Sequence, residues 1–186
     1  PSKLKAISLS DEMKRATRGK SIVCAIAPDA DAAVLSGGHA ADAVIWKNNV
    51  NGEWCSSSYY GTFPAWAAVK NKELAAVKRE WSPTFPTEIY ENFGEKAPEP
   101  FKYIFDAKSS IADYKTSACM NDEITEMVVA CLYGTSIGLD DIPDYLAVTY
   151  HAGNYKSLPM DDRPIELQDI YSKLDGNIST LLKELD

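Results

Sequence analysis

The stretch Ser21–Pro28, "SIVCAIAP", constrains the fold more than any other part of the chain. It is short and almost wholly apolar, and it lacks the alternation of a strand with one wet face. Such a run suits the interior of a parallel sheet covered on both sides. A parallel neighbour requires a crossover, which is most often a helix. Helical segments flank the run. Upstream, "SLSDEMKRATRGK" offers Ser8 or Ser10 as a cap, Asp11 and Glu12 for the positive helix end, and Gly19 as a stop. Downstream, residues 29–33 make one or two helical turns that Gly37 and Gly38 break.

The rest of the chain extends this α/β pattern. Residues 43–60 read as a hairpin, with Asn51-Gly52 as the turn signal. Residues 63–81 read as a helix with Pro64 near its start. Residues 81–118 carry no clear period. They are rich in proline and in aromatics such as Phe85, Tyr90, Phe93, Phe101, Tyr103 and Phe105, too aromatic for a disordered linker. They read as an ordered, irregular excursion. A helix follows over 121–138, capped by Asn121, with Ile124, Met127, Val128 and Cys131 on its buried face. A strand runs through "DYLAVTY" after Pro143. The last helix, 163–186, aligns Leu167, Ile170, Tyr171, Leu174, Ile178, Leu181, Leu182 and Leu185 in one stripe. Helix, strand, hairpin, helices, strand, helix argues for a sheet layered between helices. At 186 residues the chain reads as a single domain, 1–186, with two small ones as the other arrangement.

Composition narrows the partners. A net charge of −8 disfavours a nucleic-acid backbone or an anionic membrane. No stretch approaches the roughly 20 apolar residues of a membrane span, and no signal peptide is visible. The four cysteines form no CxxC pair and only two histidines exist, so no Cys/His zinc site is expected. Buried free thiols are favoured over disulfides.

The candidate ligand-binding residues lie beyond strand ends, where α/β folds place their sites. Asp29 and Asp31 follow the first strand and suit either a cation or acid–base chemistry; the simpler reading is a helix cap and a first-turn acid. His39, after two glycines, is a metal ligand or general base, or else a histidine that holds a turn. In "TYHAGNYKSL", His151, Asn154 and Lys156 suit an anion or a sugar, or else form a surface loop. No nucleophile elbow and no phosphate loop is present, and no catalytic residue or metal ligand is assigned.

Two stretches resemble the alkaline phosphatase superfamily, in particular its type I phosphodiesterase/nucleotide pyrophosphatase kind. The first runs from Asp11-Glu12-Met13-Lys14 through the strand to Gly38-His39-Ala40-Ala41-Asp42, Trp46 and the pair Tyr59-Tyr60. The second is the strand and loop over 143–158, followed by a helix whose Asp169, Tyr171, Leu174 and Asp175 match a D-x-Y-x-x-L-D pattern. The resemblance implies a three-layer α/β/α fold and a two-zinc site. It also implies a threonine or serine nucleophile, hydrolysis of phosphate mono- or diesters, and a periplasmic or secreted location.

Transfer of the family's functional residues fails at several points. Its D-x-x-x-H metal pair falls on Asn154 and Leu158, and Leu158 cannot bind metal. The lysine and arginine that grip phosphate in phosphomonoesterase members fall on Asp29 and Asp31, which repel a phosphate dianion. The family's nucleophile segment is expected before this region and its closing metal motif after it. The chain therefore reads as an incomplete or diverged phosphohydrolase, inactive in isolation, a pseudoenzyme for which no cofactor is expected. A second reading is a non-catalytic module that uses the inherited cleft for a small ligand or a protein partner. A third is an unrelated hydrolase in which Asp29, Asp31, His39 and His151 converge. Self-association, or pairing with flanking segments of a longer chain, is expected at unpaired sheet edges.

Overall fold

The computed structural model describes residues 4–75, 78–91, 99–157 and 165–186. These fall into two compact units: Pro1–Ala75 with Glu126–Thr149, and Ala76–Thr125 with Tyr150–Asp186.

The first unit is built on the run that opens the sequence analysis. Val23–Ala27 forms β1, and all five of its residues are buried. It pairs in parallel with β2, Ala43–Lys47, on one side and with β6, Tyr145–Val148, on the other. Trp54–Cys55, β3, adds an antiparallel hairpin arm to β2, giving the order β3-β2-β1-β6. Gly52 takes the left-handed backbone (φ 69°) that the Asn-Gly turn requires. β1 and β6 are joined at their starts by side chains as well as ladder bonds. Ile22 N–H donates to Asp144 Oδ1 at 2.6 Å, and the Ser21 hydroxyl donates to the Pro143 carbonyl at 2.6 Å.

Helix α1, Leu9–Ala16, begins with a capping box in which Ser8 and Asp11 satisfy each other's backbone N–H groups. Ser10 is not the cap; its buried hydroxyl donates instead to the Gly37 carbonyl at 2.9 Å. Helix α2, Ala30–Gly37, crosses close over β1 and β2 through small residues. A Cβ at Gly37 would lie 2.5 Å from Val44 Cγ2 and 3.3 Å from Ala25 Cβ, so only glycine permits this approach. Helix α3, Ala65–Ala75, stops short of the expected Trp81. From Arg79 the chain is extended instead. A three-residue strand is too short to leave a period in the sequence.

The second unit has an aromatic core. Arg79–Trp81, β4, pairs antiparallel with Tyr103–Phe105, β5. The excursion over 81–118 is thus ordered in its described parts; Phe93 and Pro98 lie outside the described residues. Trp81 is fully buried, with the rings of Phe101, Tyr103 and Tyr155 at 4.9, 5.6 and 5.0 Å. Ile111–Lys115 forms α4, capped by the Ser110 hydroxyl. Helix α5, Ala118–Gly134, starts three residues before its expected cap, and its residues from Glu126 on belong to the first unit. Asn121 therefore sits inside the helix, fully buried. The expected face of Ile124, Met127, Val128 and Cys131 is buried.

Helix α6, Ile165–Leu185, differs from its expected stripe. Ile165, Asp169, Ile170 and Asn177 are buried, while Tyr171, Ile178, Leu182 and Leu185 are exposed. The helix faces a core that needs hydrogen-bond acceptors, so polar residues take inward positions that a hydrophobicity pattern assigns to solvent. All four cysteines are free.

Candidate functional site

Each unit carries its own candidate residues at strand ends. In the first unit, β1 leads through Pro28 into Asp29, which occupies the N-cap position of α2 in extended backbone. Its carboxylate makes no capping hydrogen bond to the helix. Asp31 is in the first turn, and both residues are exposed. His39 lies beyond the other end of α2. Eight helical residues separate it from Asp29, an axial rise of about 12 Å. The two aspartates and His39 do not converge.

His39 is part of a structural knot. Its Nδ1 is 3.1 Å from Asp11 Oδ2 and its Nε2 is 2.8 Å from the Leu4 carbonyl. Its backbone N–H and that of Ala40 both donate to Asp11 Oδ1, at 2.7 and 2.9 Å. With an acceptor at each ring nitrogen, the imidazolium is favoured. The Asp11 side chain first, then the Leu4 carbonyl, raises the His39 pKa. Burial alone would push the Asp11 carboxyl up. Hydrogen bonds from Ser8, His39 and Ala40 outweigh this and hold it well below the carboxylate range. Asp42 ties in next, pairing with Lys14 at 2.7 Å and accepting from the Val23 N–H at 2.7 Å. The Tyr60 hydroxyl donates to the Gly38 carbonyl at 2.7 Å. The residues that carry the first resemblance are thus joined to one another and to β1. Their geometry locks the fold, and both ring nitrogens of His39 are taken by protein acceptors.

In the second unit, the loop after β6 is gripped from α5. Asn121 donates to the His151 carbonyl and accepts from its N–H, both at 2.8 Å, which imitates a strand pairing. The signal for this, an asparagine at a helix start, is the same one that reads as a cap. Thr125 continues the network by bonding Asn177 at 2.7 Å and the Tyr150 hydroxyl at 2.9 Å. His151 and Asn154 are half-buried. A Cβ at Gly153 would lie 3.1 Å from His151 Cε1, so the glycine admits the ring. Lys156 has left-handed backbone (φ 49°) and pairs with Asp113 at 3.0 Å. Its ammonium lies 5.7 Å from the Tyr103 ring centre and 5.1 Å from that of Tyr155. Asp113 first and Tyr155 second raise the Lys156 pKa.

Sequence reasoning missed Asp113, Tyr103 and Tyr155 as neighbours of Lys156. It also missed Asp169 as an organiser. This buried carboxylate accepts from Trp81 Nε1 at 2.6 Å, Thr84 N–H at 2.7 Å and the Tyr90 hydroxyl at 2.7 Å. The aromatic density of 81–118 was the available signal, but it did not show which acid the rings surround.

The residues present do not fit the two-zinc site that the resemblance implies. Among the described residues no three His, Cys, Asp or Glu side chains cluster as metal ligands. Asn154 offers a neutral amide at the expected carboxylate position, and Leu158 lies outside the described residues.

The architecture is that of the alkaline phosphatases. The crystal structure of wild-type alkaline phosphatase PafA superposes with a TM-score of 0.75 at 24% identity, covering 95% of this chain and 38% of that one. A PafA variant with four substitutions gives 0.73 over the same shares. In sequence, alkaline phosphatase PhoV of Synechococcus elongatus is 26% identical over 204 residues, and PafA of Elizabethkingia meningoseptica is 25% identical over 206. A protein of Myroides odoratus named a calcium-transporting ATPase is 27% identical over 206 residues. All three cover the whole of this chain, which spans 37–38% of their length. No protein-family model matches the chain. The superfamily resemblance read from the motifs is borne out: the chain is similar to alkaline phosphatases in sequence and in fold. Among the described residues no helix is long and apolar enough to cross a membrane.

Proposed function

We propose that this chain is a piece or diverged member of a metal-dependent phosphohydrolase and is catalytically silent by itself. The observation that carries the reading is the chemistry at the strand ends. Exposed Asp29 and Asp31 stand where the resemblance places cationic phosphate grips, and Asn154 stands where it places an anionic metal ligand. Two carboxylates beside a phosphate dianion oppose its binding at any dielectric. The motif pattern favours the type I phosphodiesterase/nucleotide pyrophosphatase branch, and the same resemblance favours an extracytoplasmic home. The complete protein would supply the nucleophile and the remaining ligands from sequence outside these residues.

The test is hydrolysis of p-nitrophenyl phosphate and of bis-p-nitrophenyl phosphate by the 186-residue chain, with and without zinc. No turnover of either is expected, and calorimetry should find no stoichiometric zinc site. Turnover by the isolated chain would sink the reading. If the native product in its source cells has a mass well above that of 186 residues, the same assay moves to the longer protein. Preference for the diester there supports the branch assignment.

A second reading, a binding module without catalysis, is favoured by the firm hold on the loop after β6, where Asn154 offers a neutral amide in place of an anionic metal ligand. In the first unit β6 ends the strand order, which supports pairing there with a second copy or with flanking chain. Sedimentation that shows a clean monomer at high concentration would count against that association.

A further inference from the structure

A cavity of about 180 Å³ lies within the second unit, and its lining includes Tyr103, Phe105, Ser109, Asp113, Tyr155 and Lys156. That is well under the roughly 300 Å³ of a drug-sized pocket, and suits a ligand of about a dozen heavy atoms. Its charge is balanced. The Lys156 ammonium and the Asp113 carboxylate are 3.0 Å apart and each side chain is about two-fifths exposed, at 42% and 36%. A phosphate dianion would meet Asp113 as well as Lys156, and an organic cation would meet Lys156 as well as Asp113. A neutral hydroxyl compound meets neither objection. Adjacent hydroxyls donate to the carboxylate and accept from the ammonium in place of the water those groups now face. The walls add a second feature. The rings of Tyr103 and Tyr155 stand 4.6 Å apart, centre to centre, and Tyr155 is buried against the Trp81 core. Tyr155 is only 1% exposed, so the half-buried Tyr103 is the ring that meets the C–H face of a sugar.

The support under Lys156 is unusual for a surface lysine. Its backbone is left-handed, a region costly for a residue that carries a Cβ. Its N–H is directed at Thr116 Oγ1, 3.4 Å away. The Tyr103 hydroxyl is anchored on Glu166 at 2.8 Å, which fixes that ring from behind. The loop is therefore held in a costly shape that keeps one ammonium beside two rings and a carboxylate.

We propose that this cavity binds a neutral monosaccharide or a polyol of similar size, with Asp113 and Lys156 bonding its hydroxyls and the Tyr103 ring beside it. The site is independent of any phosphate hydrolysis, so failure of the hydrolase reading leaves it intact. The experiment is an amide NMR titration of the 186-residue chain with D-glucose, D-galactose, D-mannose and glycerol, with inorganic phosphate and glycine run in parallel. At least one of the four polyols should give saturable shifts confined to residues 103–113 and 155–156, with a Kd of about 1 mM. Asp113→Asn and Lys156→Gln keep hydrogen-bonding capacity and remove charge; each should weaken binding about 10-fold, which corresponds to about 1.4 kcal/mol. Their spectra away from the cavity report that the fold is kept. No saturable response to any of the four up to about 100 mM would overturn the proposal, since weaker binding is not specific recognition. Saturation of the same amides by phosphate or by glycine, with the polyols silent, would overturn it as well. Variants that lower only the melting temperature, in a chain that binds none of the polyols, would reduce Lys156 to a latch on α4.

Discussion

The two units hold themselves together by different means. The first rests on a strand of small aliphatic residues, Val23–Ala27, paired on both sides and covered by a helix that approaches through Ala33 and Gly37. Its stability is spread over many backbone bonds and modest contacts. The second rests on large rings gathered around one acid. Asp169 satisfies the indole of Trp81, the hydroxyl of Tyr90 and the N–H of Thr84. A core built from amphipathic aromatics must place an acceptor inside itself, because buried N–H and O–H groups left alone are expensive. Robustness in one unit and dependence on a single side chain in the other follow from residue type.

The largest effect expected is from Asp169→Ala. It strands two buried donors, the Trp81 indole and the Tyr90 hydroxyl, and frees the Thr84 N–H, and should destabilise the second unit by about 4 kcal/mol. Urea unfolding followed by tryptophan fluorescence measures it, and a loss under about 1 kcal/mol would erase the contrast drawn here. Ile26→Ala is next. It opens a cavity in the fully buried middle of β1 and should cost about 3 kcal/mol, in keeping with other large-to-small core changes. If this change proves costlier than the loss of Asp169, the comparison is reversed. Ser8→Ala removes the cap of α1 and should cost about 1 kcal/mol, measured by the same unfolding curve.

The smallest effect is a pH dependence in the first unit. The folded pKa of His39 is raised, so its contribution is full below the unfolded value of about 6.5 and is lost as pH rises through the folded value. Melting temperature should therefore fall from mildly acidic to mildly alkaline pH. His39→Gln should flatten that slope. A variant with the wild-type slope would show that the Asp11 contact carries no linkage.

Legibility differed between the units for the same physical reason. β1 was plain because burial on both faces removes every polar residue from the run. The capping of α1 and the Asn-Gly hairpin were plain because their signals are local. Asn121 misled because an asparagine near a helix start serves equally well as a cap or as a buried clamp, and only the chain 30 positions later decides. The α6 stripe misled because hydrophobicity alone cannot place Asp169 and Asn177 inward and Leu182 and Leu185 outward. At the candidate sites, the types of residue at strand ends were readable. The partners of Lys156 were not, since Tyr103 and Asp113 come from a segment without period. His39 read as a possible base because the sequence does not reveal that Asp11 and Leu4 take both its ring nitrogens.

One feature of the sheet bears on how the protein is made. β1 lies between β2, which follows it closely, and β6, which does not. Ile22 and Asp144, bonded where the two strands begin, are 122 positions apart. At a synthesis rate of about 5–20 residues per second, the ribosome needs roughly 6–24 s to deliver the second neighbour after the first strand has emerged. Throughout that interval β1, the most apolar strand, has one side without its final neighbour. The parallel pairing of β1 with Tyr145–Val148 is thus among the last contacts of the first unit to become available during synthesis.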